Sequence, residues 1–197
     1  MRDVSRETEN RLVAFAELVR RWNRRINLIA PSSLPHIWKR HIDDCLQIAA
    51  LVQPGTGLWI DIGSGGGFPG IVLAVAFADL PTQFLLVESD QRKCSFLRTA
   101  IRELGLHRAS VANMRIESLE PQNAAYLSVR ALAPLPRLMP YLQRHLAPAG
   151  EAWVMKGENW RSEIDQARTA WDFDLTQFDS RSQTGAAILK ITGVAHG

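Results

Sequence analysis

The chain has 197 residues, of which 46% are hydrophobic and 22% charged, and a net charge of +3; this is typical of one globular domain and excludes a disordered chain. No stretch approaches the roughly 20 apolar residues of a membrane-spanning helix, and the charged N-terminus lacks the apolar centre of a secretion signal, so we expect a cytoplasmic protein without membrane contacts. Cys45 and Cys94 do not form the close pair of a metal site; two free thiols are favoured over a disulfide, and no metal is expected.

The N-terminal part, residues 1–52, is predicted to be a helical extension, with one amphipathic helix over 5–21 and a second from about 35 to 51. It carries the whole charge excess, because residues 1–45 contain nine Lys/Arg and six Asp/Glu, whereas the rest contains 14 of each sign. Such a positive field suits a polyanion such as nucleic acid, but a solvated helix face explains it equally well. The candidate phosphate contacts are Arg20, Arg21, Arg24, Arg25, Lys39 and Arg40.

Residues 53–197 alternate between short apolar runs and helical segments, and we expect them to form an α/β domain to which the N-terminal part is an extension. The predicted strands are 57–62, 83–88, 110–112, 126–130, 151–156, 173–178 and 186–192. Repeated strand–helix units predict a mostly parallel sheet with helices on both faces. The last two strands follow each other closely, which indicates an antiparallel finish.

A glycine-rich loop, residues 61–70, joins the first of these strands to its helix and is the most informative segment. Read from Gly65 to Gly70 it satisfies the dinucleotide pattern G-x-G-x-x-G, but this frame includes Pro69 and leaves Asp61 unexplained. The frame Asp-x-Gly-x-Gly-x-Gly instead suits S-adenosylmethionine, which has a cationic tail and no pyrophosphate. Glu88, at the end of the second strand, is placed to bind ribose hydroxyls. We favour S-adenosylmethionine over a dinucleotide, and a purely structural turn comes third.

Several motifs, taken together, resemble one known family over nearly the whole chain. They are Trp22–Leu28, Arg40–Asp44, the glycine loop with its Phe68-Pro-Gly, Leu86–Lys93, Ser128–Pro134 and Lys156-Gly157. In order and spacing they resemble the bacterial 16S ribosomal RNA guanine-N7 methyltransferases, also called ribosomal small subunit methyltransferase G. The resemblance implies a class I S-adenosylmethionine-dependent fold: Rossmann-like, with a mostly parallel seven-stranded sheet, an antiparallel last strand and an N-terminal helical extension.

The resemblance also implies roles for individual residues. Gly63 and Phe68 are expected to contact the methyl donor, as are Asp61, Gly65 and Glu88 from the loop pattern above. Ile116 and Glu117 are expected to flank its adenine. Arg130 is expected to line the pocket between the donor and the target base, and the basic N-terminal residues to contact 16S ribosomal RNA.

The expected chemistry needs no general base, because guanine N7 carries an in-plane lone pair and no proton. Arg130 is therefore assigned to guanine O6 or a phosphate, with a buried ion pair to a carboxylate such as Glu117 as the alternative. Lys156 is assigned to a phosphate or the target base, with a solvated lysine equally favoured. For His41 and Asp44, three residues apart, a helix-surface or RNA contact is favoured over a proton-transfer pair.

Three other functions stay open at this level. They are a methyltransferase with another substrate, a dinucleotide-dependent oxidoreductase, and a non-catalytic RNA-binding module. We expect the protein to act as a monomer.

Overall fold

The computed structural model describes residues 4–197 as a seven-stranded sheet with helices packed on both faces. The strands are β1 (Leu58–Ile62), β2 (Gln83–Glu88), β3 (Ala109–Asn113), β4 (Ala124–Arg130), β5 (Leu146–Lys156), β6 (Trp171–Asp179) and β7 (Ala187–His196). Their order is β3-β2-β1-β4-β5-β7-β6, with β1 to β5 parallel and β7 antiparallel to both neighbours. The predicted fold class is therefore confirmed.

Six α-helices lie among the described residues: α1 (Arg6–Asn23), α2 (Asp43–Leu51), α3 (Gly70–Ala76), α4 (Gln91–Glu103), α5 (Leu135–His145) and α6 (Trp160–Ala167). The helix predicted from about 35 to 51 is confirmed from Ile37 to Leu51, but it is not a regular α-helix throughout. A 3-10 turn over Pro31–His36 and a π-helical turn over Trp38–Ile42 precede α2. The π turn contains one more residue than an α turn, which rotates the residues that follow it.

The N-terminal helix α1 is anchored to the rest of the molecule. Ser5 caps it by accepting the N–H of Thr8 at 3.1 Å, and its apolar stripe, which includes Leu12 and Phe15, is fully buried. The stripe belongs to the same hydrophobic core as Trp59 and Phe96. The extension thus shares a core with one face of the sheet, and the boundary at residue 52 stays a prediction.

The two cysteines agree with the prediction from the sequence. Cys45 and Cys94 are both free and buried, which confirms the prediction of free thiols. Within residues 4–197, none of the helices combines the length and apolar character needed to cross a bilayer.

The fold brings the candidate residues to one edge of the sheet. Strand β1 pairs with β2 on one side and with β4 on the other, so the strand order reverses there. In doubly wound folds, ligands bind at the carboxyl ends of the strands beside such a reversal. The glycine loop follows β1 at this edge, and Glu88, Arg130 and Lys156 end β2, β4 and β5 there.

Candidate active site

The glycine loop after β1 adopts a conformation that side chains would obstruct. Gly65 has φ +54°, in the left-handed region that favours glycine. A Cβ atom at Gly66 would lie 3.0 Å from the carbonyl oxygen of Leu28, and one at Gly63 would lie 2.7 Å from a methyl group of Leu132. Two other segments of the chain therefore approach the loop closely, and together with it they form the walls of a cavity.

Glu88 at the end of β2 is fixed by backbone hydrogen bonds on both oxygens. Its Oε2 accepts the N–H of Gly65 at 2.9 Å, and its Oε1 accepts the N–H of Asp90 at 2.8 Å. A carboxylate has about four acceptor sites. Each oxygen therefore keeps accepting capacity for a hydroxyl donor in the cavity that Glu88 lines.

The cavity beside this loop has a volume of about 600 Å³, within the usual range for small-molecule and cofactor sites. It brings together seven residues singled out from the sequence: Gly63, Gly65, Phe68, Glu88, Ile116, Glu117 and Arg130. It is also lined by four residues that were not predicted from the sequence to belong to a site: Leu28, Leu132, Arg137 and Tyr141. No local signal marks these four, because their positions depend on loops packing across the strand ends.

Asp61 does not line this cavity, so the prediction that its carboxylate contacts the cofactor is wrong for this structure. The side chain is fully buried beneath the loop, where its Oδ1 accepts the hydroxyl of Ser128 at 2.6 Å. Its Oδ2 faces Gly70 in the first turn of α3 without a hydrogen bond of good geometry. Burial raises the pKa of Asp61 to about 6, although the hydrogen bond from Ser128 and the charge of Arg130 oppose this rise.

Arg130 contacts His41 and Asp44, two residues of the N-terminal segment (the extension over residues 1–52). Its Nη2 lies 3.0 Å from Nδ1 of His41, and its Nη1 lies 3.7 Å from Oδ2 of Asp44. Its guanidinium carbon is 5.1 Å from the centre of the Phe68 ring. The alternative, an ion pair with a carboxylate, therefore holds for Asp44 but not for Glu117, the residue given as its example. Instead, Glu117 accepts a hydrogen bond from Tyr141, which lowers the pKa of Glu117.

A second cavity, of about 840 Å³, adjoins the first. The two share Leu28 and the stretch from Arg130 to Ala133 in their walls. His41, Asp44 and the loop between β6 and β7 complete the second cavity. Arg130 therefore lies at the boundary between two adjoining cavities, one of which contains the glycine loop.

Lys156 is not a solvated lysine, but it lines the second cavity, so its contact with a phosphate or the target base stays a prediction. Its side chain is 9% exposed, and its Nζ lies 2.7 Å from Oε2 of Glu163. The same ammonium donates to the carbonyl oxygen of Ala133 at 2.6 Å, and Glu163 accepts the N–H of Leu135 at 2.7 Å. The ion pair thus fixes the loop that separates the two cavities.

The six basic candidates of the N-terminal segment are all exposed, but they differ in their partners. Arg20 pairs with Glu17, and Arg21 lies 3.4 Å from Glu103. Within the described part of the chain, the other four, Arg24, Arg25, Lys39 and Arg40, take part in no ion pair. Arg40 lines the second cavity, whereas Lys39 lines a separate groove between α1 and α2.

Asn23 shapes the segment that covers the glycine loop. Its Oδ1 accepts the N–H groups of Leu28 and Ile29 at 2.8 and 2.9 Å, and its Nδ2 donates to the carbonyl of Ile29 at 3.1 Å. This turn holds Leu28 against Gly66. An asparagine at a helix end is a sequence signal for such a turn, but its target is set by the tertiary structure.

Known proteins of one family match this chain over nearly its whole length. The family profile described as rRNA small subunit methyltransferase G matches residues 8–188. A protein of Paracoccus denitrificans called ribosomal RNA small subunit methyltransferase G is 54% identical over 193 residues, which is 98% of each chain. A protein of the same name from Gluconobacter oxydans is 43% identical, over 98% of this chain and 97% of its own.

Solved structures with low sequence identity share the fold. A SAM-dependent methyltransferase from Aquifex aeolicus superimposes with a TM-score of 0.62 at 11% identity, over 89% of this chain and 97% of its own. TYW2 from M. jannaschii, solved in complex with AdoMet, gives a TM-score of 0.55 at 12% identity, over 78% of this chain and 74% of its own. At these identities the likeness concerns the fold alone.

Proposed function

Because this chain belongs to the rRNA small subunit methyltransferase G family, we propose that it transfers a methyl group from S-adenosylmethionine to N7 of a guanine in bacterial 16S ribosomal RNA. The observation that carries the proposal is the pair of adjoining cavities with Arg130 at their boundary. A methyl group passed between them travels from a donor in the first cavity to a base in the second.

The first cavity fits S-adenosylmethionine better than a dinucleotide. The N–H of Gly65, which a pyrophosphate would need, is donated to Glu88. The accepting capacity left on Glu88 suits ribose hydroxyls, and Ile116 and Glu117 are available to flank the adenine. When bound, S-adenosylmethionine supplies an electrophilic methyl group on a sulfonium. The missing side chain at Gly66 leaves room for the covering segment at Leu28.

The second cavity suits an electron-rich purine edge. Arg130 has five N–H donors, and those not used by His41 and Asp44 are available to guanine O6 in our proposal. His41 is unsuited to proton abstraction, because burial, with the charges of Arg130 and Arg40, lowers its pKa to about 4. N7 requires no such step, so the site needs only to align and partly desolvate its two reactants.

The remaining proposals concern where and how the protein acts. Arg24, Arg25 and Arg40 are exposed and outside ion pairs among the described residues, so they are our candidates for RNA phosphate contacts. We further propose that the protein acts as a monomer. Bacterial ribosomal RNA lies in the cytoplasm, and we place the protein there.

The deciding experiment is transfer of labelled methyl groups to 16S RNA and to small subunits from a strain that lacks this gene. The modified nucleotide is then mapped by borohydride and aniline cleavage, which detects N7-methylguanosine. We expect label in 16S RNA at one guanine and cleavage at that position. Label on another RNA or on a protein overturns the substrate, and label on 16S RNA without cleavage overturns the N7 position. Activity on a small molecule without RNA supports the main alternative.

A further inference from the structure

A chain of hydrogen bonds connects Arg130 to the N-terminal segment through His41. Nη2 of Arg130 lies 3.0 Å from Nδ1 of His41, and Nε2 of His41 lies 2.9 Å from Oγ of Ser33. The hydroxyl of Ser33 in turn donates to the carbonyl oxygen of Ala30 at 2.8 Å. No part of the proposed methyl transfer assigns a role to this chain of bonds.

The partners fix the protonation of His41. A guanidinium can only donate, so Nδ1 must accept from Arg130. The Ser33 hydroxyl donates its hydrogen bond to the carbonyl oxygen of Ala30. Its oxygen therefore accepts a hydrogen bond from the N–H at Nε2 of His41. His41 is therefore neutral, with its proton on Nε2. In a protonated ring Nδ1 would also carry a hydrogen, so two donors would face each other and the hydrogen bond between Arg130 and His41 would be lost.

A second contact holds the other side of the guanidinium. Asp44 lies 3.7 Å from Nη1 of Arg130, and its Oδ1 accepts the hydroxyl of Ser180 at 3.3 Å and that of Ser182. The π-helical turn over Trp38–Ile42 lies just before α2 and contains His41. π turns inside helices are frequently found at functional sites. Arg130 is thus held between the end of β4 and one short stretch of the N-terminal segment.

We infer that His41 is a positioning residue, whose neutral ring holds the Arg130 guanidinium at the boundary between the two cavities. The N-terminal segment then has two tasks, contacting RNA and completing the reaction centre from which Arg130 meets the target base. The inference rests on the proposed function for the base, but the hydrogen-bond roles of His41 do not depend on it. Positioning matters for rate, because a misplacement of about 1 Å can cost on the order of a hundredfold.

The test compares two substitutions that each keep one half of the imidazole. His41→Asn keeps an acceptor near the position of Nδ1, whereas His41→Gln keeps a polar group near Nε2 and leaves Arg130 without its acceptor. We expect His41→Gln to lower kcat at saturating RNA by about ten- to a hundredfold, while His41→Asn stays within about threefold of the wild type. The matched control is the exposed His36 of the same segment, where both substitutions should have no effect.

Three further readouts distinguish a positioning role for His41 from a purely structural one. The two His41 variants should have equal affinities for S-adenosylmethionine, measured by calorimetry. They should also have equal Tm values, measured by thermal unfolding. Equal losses of kcat in both variants, together with equal losses of Tm, overturn the inference in favour of a purely structural histidine. Nitrogen NMR of the wild type should find the Nε2–H form of His41, and the Nδ1–H form overturns the inference even if 16S RNA proves not to be the substrate.

Discussion

Lys156 at the end of β5 and Glu163 in α6 form a salt bridge with 2.7 Å between Nζ and Oε2. Through this pair, β5 and α6 are connected to the loop after β4, because Lys156 also donates to Ala133 and Glu163 accepts from Leu135. The pair therefore supports the wall that the two cavities share.

Replacing one partner of this salt bridge should destabilise the protein more than replacing both. Lys156→Met leaves Glu163 partly buried without its cation, and we expect the free energy of unfolding to fall by about 2–3 kcal/mol. The double variant Lys156→Met with Glu163→Gln should recover most of this loss. Denaturant unfolding measures both. If Lys156→Met keeps its stability and its S-adenosylmethionine affinity but loses methyl transfer, Lys156 acts in the reaction instead.

A methyl group added at Gly66 should weaken cofactor binding. The Cβ atom of Gly66→Ala would lie 3.0 Å from the carbonyl oxygen and 3.2 Å from the Cβ atom of Leu28, so the segment that covers the cavity must move. We expect the Kd for S-adenosylmethionine to rise by roughly tenfold, a change of about 1.4 kcal/mol. Calorimetry measures it. Gly55→Ala is the control, because no atom lies within 4 Å of its added Cβ, and equal affinities of the two variants would contradict the prediction.

The buried carboxyl of Asp61 should make stability depend on pH. Burial raises its pKa from 3.8 to about 6, so the folded state holds the proton more tightly than the unfolded chain. Its contribution to stability is then fully present below pH 3.8 and is lost as the pH rises through about 6. Relative to Asp61→Asn, which does not titrate there, the wild type should lose about 2.4 kcal/mol between pH 4 and 7. A constant difference between the two proteins over this range would show that the pKa of Asp61 is not raised.

The exposed arginines after α1 should contribute to the salt dependence of RNA binding. Arg24 and Arg25 are outside the ion pairs of the described residues, and removing one phosphate contact should reduce the slope of log affinity against log salt by roughly 0.7–0.9. We therefore expect the double variant Arg24→Ala with Arg25→Ala to lower the slope by about 1–2, while S-adenosylmethionine binding persists. Filter binding at several salt concentrations measures it.

The control for this prediction removes the same charge elsewhere. Arg161 and Arg168 are exposed at α6, which packs against the opposite face of the sheet from α1. Their double alanine variant should keep the wild-type slope. If both double variants behave alike, the arginines after α1 are not part of the RNA-binding surface.

The local pattern of residues was sufficient to predict the alternation of strands and helices and the edge of the sheet at which the glycine loop lies. Strand β2 begins and ends at the predicted residues, and the glycine loop lies at the predicted edge of the sheet, because hydrophobic periodicity and glycine content act through the backbone close by. The π-helical turn before α2 escaped prediction, since apolar periodicity does not distinguish it from a regular helix.

Only the tertiary structure decided which charged and polar side chains meet. Arg130 and His41 are 89 residues apart, and nothing in the local pattern singled out Asp44 rather than Glu117 as the carboxylate beside Arg130. Lys156 forms an ion pair with Glu163 of the following helix. Asp61 was expected to contact the cofactor, but its side chain is buried beneath the glycine loop. The physical reason is that ion pairs and burial depend on distance in space, and only the packing of helices and loops on the assembled sheet sets those distances.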